Sequence, residues 1–275
     1  MRTIWTIALA LLVSPLAGCR GEAPSFAGTQ GDPTMHVAPD DWARVAGQRI
    51  FFGHQSVGEN ILQGIRELEG SAGSRPVRIF DTTTGPAPQG PVLLHRHVGT
   101  NGDPMSKIRG FQEAIDSPLG SDLKVAAVKF CFWDIRADTD VRRVFAEYER
   151  TLADLEARHP DIRFVHLTVP LYARDADWRA GLRRLLGRPI PRTLDNAKRH
   201  ELSQLIRERY SNREPLLDLA RIEAAPEAEG GVPYLQADLT TDGGHLNVEG
   251  RRRLASAFLH TVALAAADPH AGSGQ

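Results

Sequence analysis

RIFFGHQSVGENILQGIREL, residues 49–68, passes from one periodicity to another within a few residues. RIFF (49–52) is a short apolar run without alternation, as in a strand buried on both faces of a sheet. From Val57 the apolar residues recur at Val57, Ile61, Ile65 and Leu68, one face of a helix. Between them lies Gly53-His54-Gln55-Ser56, so Ser56 stands where a strand turns into a helix. A serine there suits two roles: cap of the helix, or nucleophile presented at a strand-to-helix turn.

Outward from this stretch the alternation continues. Further strands are expected at VRIF (77–80), KVAAVKFCF (124–132), IRFVHLTV (162–169) and PLLDL (215–219), giving about five. Helical stripes are expected over 139–158, over 194–210, and through Leu254, Phe258, Leu259 and Val262. Alternating strands and helices predict an α/β fold: a flavodoxin-like, doubly wound three-layer sandwich on a mostly parallel sheet. Ligands of such sheets bind beyond the carboxyl ends of the strands, which directs attention to Ser56, Asp134 and a segment before the last helix.

That segment is TTDGGHLNVEG (240–250), with Asp242 and His245 three apart across two glycines and Asn247 placed to cap the final helix. A carboxylate beside an imidazole sets its tautomer and stabilises the imidazolium, leaving the other ring nitrogen to take a serine's proton. An Asp-Gly-Gly turn leading to a partly exposed histidine is the plainer reading of the segment taken alone.

The N-terminus carries a different signal. MRTIWTIALALLVSPLAGCR joins an early arginine, a short apolar run and small residues ahead of Cys19, the pattern of a lipoprotein signal peptide (1–18). Cys19 is then the lipidation site. Residues 19–40 read as a flexible tether, 41–267 as the folded domain and 268–275 as a disordered tail. The expectation is a protein secreted across the inner membrane and held by acyl chains in the periplasm, at the outer membrane rather than the inner. Cys131, the other cysteine, sits in an apolar run and reads as a small buried hydrophobe. With 33 Lys plus Arg against 34 Asp plus Glu, the chain lacks the basic excess of a general nucleic-acid binder. His95 and His97 have a ligand-like spacing near Asp103, but no further ligand pattern accompanies them, and no metal or other cofactor is expected. The segment from Arg174 to Arg213 is rich in arginine and reads largely as a solvated helix face, with residues 172–193 open to a second reading as a lid inserted above the strand ends.

In order and spacing, residues 47–265 resemble the SGNH (GDSL-type) hydrolase superfamily. DGGHLNVEGRRRLA (242–255) is similar to its closing Asp-x-x-His signature; FFGHQSVGEN (51–60) keeps the strand, Gly and Ser of the opening one, with His54-Gln55 where one Asp is usual. VGTNGDPMSKI (98–108) resembles the second block with Gly102 at its glycine, and CFWDI (131–135) the third, with Trp133 where an Asn is usual. The resemblance implies Ser56 as nucleophile, His245 as general base and acid, and Asp242 as its orienting partner. It implies an oxyanion hole from the N–H groups of Ser56 and Gly102, completed by Asn101 or Trp133. His54, Gln55 and Asp134 are expected to contact substrate, with loop-holding the other role open to His54 and Asp134. The implied function is a serine esterase that deacylates, in particular deacetylates, a carbohydrate or related ester of the cell envelope. An O-acyltransferase on the same fold and a non-catalytic glycan-binding lipoprotein are the alternatives.

Overall fold

The computed structural model describes residues 37–72, 77–175, 178–226 and 231–267; Cys19, most of residues 1–40 read as signal peptide and tether, and the segment 268–275 read as a tail lie outside the described residues. Six strands form one sheet: β1 (Arg49–His54), β2 (Ile79–Asp81), β3 (Val92–His97), β4 (Val125–Val128), β5 (Arg163–Leu167) and β6 (Leu216–Leu217). Their order is β2-β3-β1-β4-β5-β6, and every adjacent pair is parallel. The strand missing from the expectation is β3, VLLHRH. His95, Arg96 and His97 interrupt its apolar run, although His95 is itself buried. KVAAVKFCF, conversely, is strand only to Val128; Lys129 N–H still donates to Gly53 O at 3.0 Å, and residues 130–132 then lead into a turn closed by Asp134 N–H donating to Cys131 O at 3.0 Å.

Side chains of β1 alternate between two cores, which explains its unbroken apolar run. Ile50 and Phe52 pack with α1 (Pro39–Ala46), α2 (Val57–Ala72) and α8 (Val248–Ala266), the last helix of the chain. Phe51 packs on the opposite face with α3 (Pro104–Asp116), α4 (Val141–Arg158) and α6 (Pro191–Tyr210). A short α7 (Leu219–Glu223) precedes the segment that leads to α8. Capping sets several helix starts: Asp103, Asp140 and Asn247 each accept from the N–H three residues on. Cys131 is fully buried and unbridged.

The folded domain begins earlier than residue 41. Val37 is buried against the core, and Pro39 and Asp40 open α1, whose Trp42 and Val45 are buried. Within 172–193, the segment read as a lid, α5 (Trp178–Leu185) presents Trp178, Leu182 and Leu185 to solvent. No described helix is long and apolar enough to cross a membrane.

Candidate active site

The strand order places β1 between β3 and β4, so the loops after these three strands meet at one end of the sheet. Ser56 follows β1 in a left-handed conformation (φ 47°), rare for a residue with a side chain and common where a nucleophile is held out of regular structure. Its carbonyl accepts the N–H of Glu59 at 2.8 Å, so the backbone of Ser56 opens α2. The hydroxyl is not spent on capping. It donates instead to His245 Nε2 at 2.6 Å, across 189 positions of sequence.

His245 is held from its other side. Its Nδ1–H donates to Asp242 Oδ2 at 2.7 Å. Asp242 Oδ1 accepts the main-chain N–H groups of His245 and Gly244, at 2.7 and 2.9 Å. Burial by itself raises the Asp242 carboxyl, but these hydrogen bonds outweigh it and hold the group at about 2, ionised throughout the neutral range. Thr240 ties the turn from inside: its hydroxyl donates to His245 O at 2.6 Å and accepts Gly243 N–H at 3.0 Å. The Phe132 ring stands edge-on to the imidazole, centroids 5.5 Å apart. Ser56, Asp242 and His245 therefore form one connected hydrogen-bonded chain, with His245 and Asp242 side chains about half exposed (48% and 55%).

The oxyanion side differs from expectation. Gly102 has φ 89°, open to glycine, but its N–H donates to Asp134 Oδ1 at 2.9 Å and so points at a carboxylate rather than at an incoming oxyanion. Asp134 is almost fully buried and cannot meet a substrate. Its second oxygen accepts Cys131 N–H at 2.6 Å and lies 3.6 Å from the ammonium of Lys107. Burial raises the Asp134 carboxyl, opposed by Lys107 and the two N–H donors; burial lowers Lys107, opposed by Asp134. The acidic residue after β4 is thus a buried tie between two loops.

Lys107 also donates to Asn101 Oδ1 at 3.0 Å. With its carbonyl oxygen engaged below, Asn101 keeps its two amide N–H donors for another partner. The same loop is fastened beside Ser56 by Gln55, whose amide donates to Gly99 O at 2.9 Å and, more weakly, to Val98 O at 3.4 Å. Gln55 accordingly fastens this loop through its amide N–H groups. The Ser56 N–H has no partner among the described residues and stays available to a ligand.

His54 departs from expectation most clearly. It is fully buried beneath the turn, ring-stacked on Phe52, with Nε2 3.1 Å from Nδ1 of His95. Burial, then the neighbouring His95 and Lys129, lowers it to about 2, so it is neutral and shielded from any substrate. Glycine at position 58 is required by this packing, since a Cβ there would fall 2.3 Å from His54 Cβ. Trp133 is exposed, with the Arg136 guanidinium 5.6 Å from its ring centroid.

Residues absent from the sequence reading complete the site. Buried Arg199 donates through Nε and Nη2 to Phe132 O at 3.0 and 2.7 Å, lies over Tyr172, and so pins the turn that supports His245. Asn60 Oδ1 accepts Leu246 N–H at 3.0 Å, binding α2, the helix that follows Ser56, to the loop that carries His245. Nothing in local spacing marks Arg199 or Asn60, because each bridges segments remote in sequence.

Compared by sequence, the chain matches no family model and no curated protein. Compared by structure, it is similar to a candidate acylhydrolase from Bacteroides fragilis (17% identity, TM-score 0.48, covering 78% of this chain and 86% of that one). It is also similar to the acetyl xylan esterase AlAXEase (15% identity, TM-score 0.44, 78% and 98% covered). A third similar structure is the periplasmic domain of a lipopolysaccharide acetyltransferase from Salmonella ser. Paratyphi A (12% identity, TM-score 0.44, 78% and 84% covered). By its parallel sheet and flanking helix layers, the chain is a doubly wound three-layer α/β sandwich.

Proposed function

We propose that this chain is a serine esterase of the SGNH type acting on a small or carbohydrate-borne acyl ester. The observation that carries the reading is the continuous relay from Ser56 Oγ through His245 to Asp242, with both links at 2.6–2.7 Å. Ser56 Oγ attacks the ester carbonyl carbon and its proton passes to His245 Nε2. The carbon–oxygen bond to the alcohol then breaks, and the alcohol leaves with that proton. Water attacks the acyl-serine, gives a proton to His245, and releases the carboxylic acid as the proton returns to Ser56 Oγ. The free Ser56 N–H and the Asn101 amide, oriented by Lys107, are the donors suited to the oxyanion. The N-terminal end of α2 adds its dipole.

Hydrolysis is favoured over acyl transfer because water reaches a half-exposed His245–Asp242 pair freely, and transfer requires water to be kept out. The acetylated envelope carbohydrate as substrate rests on the lipoprotein signal and the implied compartment, as does anchoring by lipid at Cys19 in the outer membrane. Exposed Trp178, Leu182 and Leu185 on α5, interspersed with Arg179, Arg183 and Arg184, suit a surface lying against anionic headgroups. A serine-directed fluorophosphonate probe tests the chemistry: it labels the wild type and not Ser56→Ala. Equal labelling of both, or none under conditions where control esterases react, would remove the nucleophile. Glycan binding without turnover on an ester panel would favour the non-catalytic alternative.

A further inference from the structure

Close to Ser56 in sequence, three ligand-type side chains outside the relay converge: His54 from the end of β1, His97 from the end of β3, and Glu59 from the first turn of α2. Each offers one ligand atom, and these atoms lie within 4.8 Å of one another. The parallel register pairs His54 with His97 and Phe52 with His95, so all three histidines emerge on the same face of the sheet, the one covered by α2. His97 and Glu59 open to solvent, while His54 is fully buried.

The state of His54 points to a ligand. Its Nε2 is engaged with His95 Nδ1, while its Nδ1 is buried with no hydrogen-bond partner. A buried polar atom without a partner is costly, and few native side chains carry one unexplained. The tautomer that donates from His54 Nε2 to His95 leaves a lone pair on Nδ1. Metal-bound histidines are held the same way, with the far ring N–H donating to an acceptor that orients the ring. His95, excluded from the ligand set, thereby has a use as that acceptor.

We propose that His54, His97 and Glu59 bind a divalent transition-metal ion of the Zn2+ type, completed by water from the solvent side. Two imidazoles and one carboxylate form a donor set suited to that ion and poorly suited to Mg2+ or Ca2+. Tetrahedral zinc at its usual bond lengths places ligand atoms about 3.4 Å apart. The exposed Glu59 and His97 side chains close the remaining distance by rotation, and Glu59 gives up a loose 3.5 Å ion pair with Arg66. The ion would join β1, β3 and α2 directly behind the nucleophile's turn. The site is independent of the esterase reading, because none of its ligands belongs to the relay.

The test is Zn2+ titration of metal-stripped protein by calorimetry, with the melting temperature followed alongside and Mg2+ as control. The expected result is one Zn2+ per chain at the site and a melting temperature that rises with Zn2+ but not Mg2+. Glu59→Gln and His97→Ala, both at exposed positions, should each weaken binding by at least about tenfold, whereas Ser56→Ala should leave it unchanged. Substituted Co2+ should show the intense visible bands of a low-coordinate site. Absence of binding at about 100 µM Zn2+, far above the affinity of a built site, would overturn the proposal. So would binding that survives both ligand substitutions or disappears with His245→Ala.

Discussion

Asn60, one turn into α2 from Ser56, accepts the main-chain N–H of Leu246, the residue after His245, at 3.0 Å. This bond spans 186 positions and ties the helix that follows Ser56 to the loop that carries His245. Leu246 is buried, so removing its acceptor strands a donor at a cost of about 1–3 kcal/mol.

Asn60→Ala should therefore lower the melting temperature and slow fluorophosphonate labelling of Ser56 by about tenfold, whereas Asn60→Asp, which keeps the acceptor, should restore both. A labelling rate equal to wild type in Asn60→Ala would show that the relay is held without this bond.

Asp242 is ionised well below neutral pH and orients His245 through Nδ1. Asp242→Asn should preserve the fold and reduce kcat on a simple acetyl ester by about three to four orders of magnitude, because an amide favours the wrong imidazole tautomer. Circular dichroism and ester kinetics on the same sample check this. A loss smaller than about tenfold would leave the carboxylate without an orienting role.

Asn101 and Lys107 should act as a pair. If the Asn101 amide serves the oxyanion as proposed, Asn101→Ala should cost about 100-fold in kcat with little change in KM. Lys107→Met leaves the amide present but free to turn, so its defect should resemble that of Asn101→Ala, and the double variant should be little worse than either. Fully additive losses would separate the two residues.

Glu223 supplies a pH signature. It is fully buried, with one oxygen on Leu171 N–H at 2.9 Å and the other without a partner. Burial raises it to about 8, against the opposing N–H of Leu171, Lys129 and Arg199. Between its ordinary value of 4.5 and about 8 the folded state holds a proton that the unfolded state has lost, so this group's contribution to stability declines as pH rises through that window. Glu223→Gln should flatten the decline, changing the slope of unfolding free energy by up to about 1.4 kcal/mol per pH unit. Denaturant titrations at pH 5, 6.5 and 8 measure it, and parallel curves for the two proteins would show that Glu223 ionises normally.

Much of the framework was legible in the chain because its signals are local. A strand buried on both faces reads as a continuous apolar run, a helix as a 3.6-residue stripe, and a cap as Asn247 ahead of a helix. Ser56 after a strand and Asp242 with His245 in a tight turn were recognisable for the same reason: each lies where a change of periodicity meets residues of the right chemistry. Strand β3 does not stand out in the sequence, because His95, Arg96 and His97 interrupt its apolar run.

Only the tertiary structure decided what those residues meet. The same polar letters, His54, Gln55 and Asp134, suggest substrate contact in sequence, yet the fold buries His54 and Asp134 and commits the Gln55 amide to a neighbouring loop. Whether a side chain faces the crevice or the layer beneath it depends on which loops pack over the strand ends, and that is fixed by contacts between segments far apart in the chain. The partnership of Asn101 with Lys107, of Asn60 with Leu246 and of His54 with His97 arises in this way. Local sequence determined which groups stand at the ends of the strands; the order of the strands determined which of them stand together.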